Sequence, residues 1–330
     1  MTKPWRILAL PPLDPSLIRG MLDPVVGDAA EIVLPAERER GALLDALADA
    51  ELVLADFSGR LALDAEAVAA APRLAFVQMP AVGTDSLDLD ALTAAGVPVA
   101  NAAGTNARSV AEWAVGAAFA LCRHLAWSDR RVREGGWPQL EMLGRGAREL
   151  RAQRVGILGY GAIGSETARL FQALGCAVSY WSRRRRADAS ATYRELDDLL
   201  ANSDILVVTL PLTDETRGLL GADRLARLPQ GALLVNAARG GIAPDEAVLA
   251  ALESGRLGAA ALDVFDEEPP PADSPLRRHE NVLLSPHSAG ATLDAQLAIV
   301  SVVQENLAAV LAGRPVANVV NAVEPLVRRR

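Results

Sequence analysis

Side chains that can carry a proton at neutral pH are scarce in this chain, which holds three histidines, His124, His279 and His287. His124 lies in a long run of helical period, where packing or solvent contact is the ordinary use of the residue, and His279 lies in the polar stretch "LRRHENV". His287 differs, because "NVLLSPHSAG" sets it directly after a strand-like run and a proline. Ligand sites of α/β proteins form at the carboxyl ends of parallel strands. His287 is therefore the candidate acid or base.

A second constellation points to what such a group would work on. "RVGILGYGAIGSETARLFQAL" reads as strand, glycine loop and helix. Gly159 permits a tight turn and Gly161 lets backbone approach a pyrophosphate. Ala162 and Ile163 open a helix whose amino end faces the phosphates, and Gly164 allows that helix to pack closely. Incidental glycines also occur at strand-to-helix turns, but the strand before, the helix after and a second strand beyond favour a dinucleotide. That second strand ends in "YWSRRRRADAS", with Ser182 where a carboxylate would meet the ribose of NAD. A carboxylate repels a 2'-phosphate, whereas the Ser182 hydroxyl and the forks of Arg183 and Arg184 suit one. NADP(H) is the expected cofactor, with NAD(H) possible. Charge runs are usually solvated loops, and Arg185 and Arg186 remain candidates for that role.

The elements needed to position these groups are visible as apolar runs alternating with Ala/Leu-rich stretches of helical period. Eleven strand-like runs can be read: "WRILAL", "EIVL", "LVLA", "LAFVQM", "VPVA", "RVGILG", "AVSYW", "DILVVTL", "ALLVN", "AALDV" and "NVLLS". Such alternation implies right-handed βαβ crossovers and parallel sheets, an α/β fold. The 330 residues exceed one hydrophobic core. Hinges are expected at "NAAGTNARS" and "LLSPHSAGAT", giving a discontinuous domain of residues 1–102 and 287–330 around an inserted domain of 103–286. A long helix is expected from about Ala107 to Arg133, and a last one from about Ala291 to Ala312.

The formal charge of −8 argues against a general nucleic-acid partner. Cys122 and Cys176 cannot form a disulfide framework and have no neighbour at metal-ligand spacing. No targeting segment is read, and the most apolar helical stretch, "SVAEWAVGAAFALCRHLAW", is broken by Glu112 and Arg123. A cytoplasmic protein without a metal or a membrane partner is expected.

From about residue 75 to 313 the chain resembles the D-isomer-specific 2-hydroxyacid dehydrogenases. The resemblance rests on the glycine loop, "SDILVVTLPLTDETRGLL", "GALLVNAARGGIAPDEAVLAALESGRLGAAALDVFDEEPP" and "SPHSAG", in that order. It implies two doubly wound domains, a Rossmann domain inserted in a flavodoxin-like substrate domain. Arg239 of "NAARGG" then matches the substrate arginine, and Glu268 of "DVFDEEPP" matches the acid beside the catalytic histidine, with Glu267 as its near neighbour. A carboxylate beside imidazole favours the protonated ring, which makes His287 the proton donor. Asp263 matches a nicotinamide-binding position or, alternatively, only caps its strand. Val82 and Gly83 of "PAVGTDS" match the loop that holds the substrate carboxylate by backbone N–H groups.

Ala81 stands where many members have Gly, and the apolar Met79 speaks against a phosphorylated substrate. Glu268 stands where formate dehydrogenases have Gln. The implied activity is that of an NADPH-dependent glyoxylate/hydroxypyruvate reductase, working as a homodimer through the helix that starts near Ala107. Trp137 matches a position near the domain crossover. The alternative is a nucleotide-sensing binding protein of the corepressor kind.

Overall fold

The computed structural model describes residues 3–330. The chain divides into two compact units, Met1–Thr105 with Leu293–Arg330, and Asn106–Thr292. The junctions at 105/106 and 292/293 lie a few residues beyond the hinges read from the sequence, so His287 belongs to the second unit.

In the first unit, strands β1 (Trp5–Ala9), β2 (Ala30–Val33), β3 (Leu52–Leu54), β4 (Phe76–Gln78) and β5 (Val99–Ala100) form one parallel sheet in the order β2-β1-β3-β4-β5. This is the doubly wound order of the flavodoxin type. Helices α1 (Pro15–Val26), α2 (Arg40–Leu47), α3 (Ala65–Ala69) and α4 (Leu89–Ala94) follow successive strands. One face of the sheet buries Leu43, Leu47, Val77 and Leu92, and the other buries Ile7, Ile18 and Leu22.

The second unit opens with α5 (Ala107–Cys122), α6 (Leu125–Arg133) and α7 (Gln139–Gly144). The single helix expected from Ala107 to Arg133 is thus broken. His124 adopts a left-handed backbone conformation, φ 49°, which ends one helix and starts the next in a new direction. Strand β6 (Arg154–Leu158) leads through the glycine loop to α8 (Ala162–Ala173) and β7 (Ala177–Trp181). Next come β8 (Thr192–Tyr193), α9 (Leu196–Ala201), β9 (Ile205–Val208), α10 (Ala222–Leu225) and β10 (Ala232–Asn236). The unit closes with α11 (Asp245–Glu253), β11 (Leu257–Leu262) and β12 (Val282–Leu284).

The sheet order, β12-β11-β10-β9-β6-β7-β8, is fully parallel and reverses direction at β6 and β9. Its strands read as unbroken apolar runs because both faces are covered. Leu206, Val208 and Leu234 point to one side, and Ile205, Val207 and Val235 to the other.

The last helix, α12 (Leu293–Leu311), returns to the first unit. With a mean hydropathy of 1.2 it is, among the described residues, the helix long and apolar enough to cross a membrane, rather than the stretch around α5. Its Val303, Leu307 and Val310 pack into the core with Ile18 and Leu22 of α1, which accounts for that composition.

Candidate active site

The turn after β6 has the shape its glycines allow. Gly159 sits at φ +106°, and a Cβ there would meet the Thr209–Leu210 backbone at 2.9 Å; one on Gly164 would lie 2.0 Å from the Gly159 oxygen. These two glycines are required by the protein itself. Gly161 is different, since a Cβ there meets nothing within 4 Å. The space beside it is open, at a helix whose amino end has no side-chain cap and no acid in its first turn. Those uncapped N–H groups suit a pyrophosphate, so the loop fits the dinucleotide that its sequence implied. Thr209 Oγ1 donates to the Gly159 oxygen at 2.8 Å and locks the turn from the facing strand end, a contribution its sequence position does not advertise.

At the end of β7, Ser182 Oγ donates to the Arg184 carbonyl at 2.7 Å. Arg183 is exposed and reaches Glu215 at 3.2 Å, while Arg184 makes no ion pair among the described residues. Arg186 is held by Asp188 at 3.3 Å, and its N–H donates to Tyr180 Oη at 2.9 Å; Arg185 lies 5.8 Å from the centre of the Tyr193 ring. Of the four, Arg184 alone makes no side-chain ion pair or ring contact among the described residues. Glu215, on the loop after β9, is the neighbour that sequence reading missed.

Three strands deliver the proton-handling groups to the same carboxyl edge. Arg239 follows β10, Glu268 lies in the turn after β11, and His287 follows β12. His287 Nδ1 lies 2.7 Å from Glu268 Oε2. The other carboxylate oxygen, Oε1, accepts the Phe265 N–H at 3.1 Å. Burial by itself raises the Glu268 pKa, but the bond to His287, the Phe265 N–H and the charges of His287 and Arg239 outweigh it and hold the carboxyl below its ordinary range. The partner is Glu268 and not Glu267. Since the carboxylate only accepts, Nδ1 carries the proton of this bond and Nε2 is left facing outward.

His287 has φ 49°, a left-handed conformation uncommon outside glycine. Asp263 accounts for it. The Asp263 carbonyl accepts the His287 N–H at 2.8 Å. Its buried carboxylate takes the Ser285 hydroxyl and the N–H groups of Ser288 and Ala289, the latter two at 2.8 Å each. Of the two readings left open for Asp263, this geometry favours the brace at the strand end. Gly240 explains the neighbouring segment, because a Cβ there would lie 2.0 Å from the Phe265 backbone. The stretch behind Arg239 is pressed against the turn that carries Glu268.

The remaining histidines stand elsewhere. His124 Nε2 meets the Arg145 carbonyl at 3.1 Å, and His279 Nδ1 accepts the Asn281 N–H at 3.2 Å ahead of β12. In the first unit, Val82 and Gly83 follow β4, and their N–H groups donate to nothing among the described residues. Asn101 holds that loop by donating to the Val82 carbonyl at 2.7 Å. Met79 is buried.

Comparison with known proteins agrees with this geometry. The profile "D-isomer specific 2-hydroxyacid dehydrogenase, NAD binding domain" matches residues 115–289. A glyoxylate reductase of Aeropyrum pernix is 39% identical over 302 residues, 88% of this chain and 86% of its own. A D-3-phosphoglycerate dehydrogenase of Archaeoglobus fulgidus is 38% identical over 80% of this chain, which spans 50% of that protein's length. Among solved structures, the NADPH-dependent glyoxylate/hydroxypyruvate reductase of Sinorhizobium meliloti, in complex with NADP and malonate, superposes with a TM-score of 0.85 at 28% identity, covering 100% of both chains. The chain belongs to the D-isomer specific 2-hydroxyacid dehydrogenase family.

Proposed function

We propose that the protein reduces a small 2-oxo acid to the D-2-hydroxy acid, in the manner of glyoxylate and hydroxypyruvate reductases, with NADPH preferred to NADH. The observation that carries this reading is the dyad, a half-exposed His287 held through Nδ1 by Glu268 at 2.7 Å at the same sheet edge as Arg239 and the glycine loop. The nicotinamide cofactor, when bound, supplies the hydride that reaches C2. His287 supplies the proton: the imidazolium donates from Nε2 to the developing alkoxide, and in the reverse direction the neutral ring takes it back. The Arg239 fork suits both the carboxylate and the carbonyl oxygen of the substrate.

Gly161 and the amino end of α8, with Ala162 and Ile163, would hold the pyrophosphate, and Ser182, Arg183 and Arg184 the 2'-phosphate. Met79 places no charge at the end of β4, which fits an unphosphorylated substrate. The similarity to glyoxylate reductases supports the same class. A second copy of the chain is the proposed partner. Beyond α5, Trp137, Leu140 and Leu143 are each 80% exposed, a concentration of apolar surface that marks an interaction face.

The test follows NADPH and NADH oxidation in parallel against glyoxylate, hydroxypyruvate, pyruvate, phenylpyruvate and a branched 2-oxo acid. NADPH is expected to be favoured, and His287→Ala to lower kcat by about 10²- to 10⁴-fold with cofactor binding retained. A preference for NADH would remove the arginine assignment and leave the dehydrogenase. Cofactor binding without turnover of any 2-oxo acid would replace the enzyme with a nucleotide-responsive binding protein.

A further inference from the structure

The second unit has a cavity of about 350 Å³ that the chemistry above does not use. It opens at the amino ends of the strands, opposite the edge that carries Arg239 and His287. Leu233 and Gly258 stand at the starts of β10 and β11, Gly231 just before β10, and Asn281 just before β12. Cys122, His124, Arg145 and Arg148 close it, with the acidic Glu280 also in its lining.

Two glycines keep its floor bare. The pairing of β10 with β11 slips at this point, with Ala232 opposite Leu257 and Leu233 opposite Ala259, so Gly258 is bulged out. Such bulges gather beside functional sites. A Cβ on Gly258 would lie 2.9 Å from the Gly231 carbonyl oxygen, and one on Gly231 would lie 3.2 Å from Arg148 Nη2. The Arg148 guanidinium therefore lies directly over bare backbone.

The charges are unequal. Arg145 is fixed, stacked 4.2 Å over the Trp127 ring, donating to Asn281 Oδ1 at 2.8 Å and 3.6 Å from Glu280. Arg148 makes no ion pair among the described residues, although, behind the hydrogen bonds of Arg154, its charge helps to hold Asp204 below its ordinary range, and its Nη1 reaches Gln153 Oε1 only at 3.5 Å, the limit of a hydrogen bond. Burial pushes the Cys122 thiol up to about 11, so it adds no negative charge at neutral pH. Burial, and then the charges of Arg145 and Arg148, push His124 down, so its ring is neutral there. With Nε2 donating to the Arg145 carbonyl, Nδ1 offers a lone pair. That distinguishes among oxyanions, since hydrogen phosphate, or a phosphate ester in its singly ionised form, has a proton to give it and a carboxylate has none.

We propose that this cavity binds a phosphate group, free or as a small ester, between Arg148, Arg145 and His124.

The test is calorimetric titration of the cofactor-saturated protein with inorganic phosphate and, separately, with glycerol 3-phosphate; the bound cofactor blocks the glycine loop, another place that attracts phosphate. Saturable binding is expected, weakened about tenfold or more by Arg148→Glu and by Arg145→Gln. Phosphate-free turnover of the 2-oxo acid should be unchanged in Arg148→Glu, which separates this site from the dehydrogenase reading. Tighter binding of glycerol 3-phosphate would identify an ester as the natural ligand, and tighter inorganic phosphate the free ion. No binding to the wild type, or equal affinity in all three proteins, overturns the proposal.

Discussion

Glu268 uses its two oxygens differently, one on the Phe265 N–H and one on His287 Nδ1. Its charge and its geometry can therefore be separated. In Glu268→Gln the side-chain carbonyl still accepts from Nδ1, but the negative charge beside the ring is gone. Reduction draws its proton from the ring, so kcat for reduction is expected to fall with cofactor binding retained, as followed by steady-state cofactor oxidation. An unchanged kcat would mean that Glu268 only orients the ring. His287 was legible from its place after an apolar strand and a proline, whereas Arg239 and Glu268 came only through the resemblance of their motifs to the family. Thr209, Asn101 and Glu215 were not legible, because each acts on a loop distant in the chain through one side-chain contact, and no periodicity records such a pairing. Glu215 qualifies the arginine reading physically, since its carboxylate competes with a 2'-phosphate for Arg183.

At the scale of elements, α11 shows how the site is supported. Its first residue follows Pro244, which has no capping side chain, and the cap comes from across the fold, where Asp266 Oδ2 accepts the Asp245 N–H at 2.8 Å. The arrangement crowds acids. Burial first, then the charges of Asp266 and Glu268, raise Asp245 from 3.8 to about 6. For an acid whose folded pKa is raised, the folded state holds its proton longer than the unfolded chain. Stability therefore falls as pH rises from 3.8 to about 6 and stays reduced above it. Asp245→Asn should stabilise the protein by about 1 kcal/mol near pH 8, after discounting for solvent screening, with no gain near pH 4. Urea unfolding at the two pH values measures it. The strands themselves were well marked by apolar runs; only β8 escaped, because Thr192 and Tyr193 stand between Ala191 and Arg194 with no apolar run around them. The break between α5 and α6 escaped because His124 carries no turn signature, and only the backbone shows its left-handed conformation.

For the whole molecule, the exposed Trp137, Leu140 and Leu143 make a specific expectation. Light scattering should give the mass of a dimer, and Trp137→Asp combined with Leu140→Asp should give a monomer; a monomeric wild type would refute the partner assignment. The division into two units was foreshadowed by glycine and polar residues at both crossings. Its junctions moved by several residues because Asn106 and Gly290, and likewise Ser109 and Thr292, meet within the second unit, contacts that composition does not reveal. The discontinuity also orders events in time. The core around Ile7, Ile18 and Leu22 is completed by Val303, Leu307 and Val310 of α12. On the ribosome, every strand of the inserted unit emerges before that helix does, so the apolar face begun at the amino terminus, covered in part by α1, waits for α12 to complete it. The unit whose synthesis starts first is the one that finishes folding last, and its interval of greatest exposure to aggregation is set by the length of the unit inserted within it.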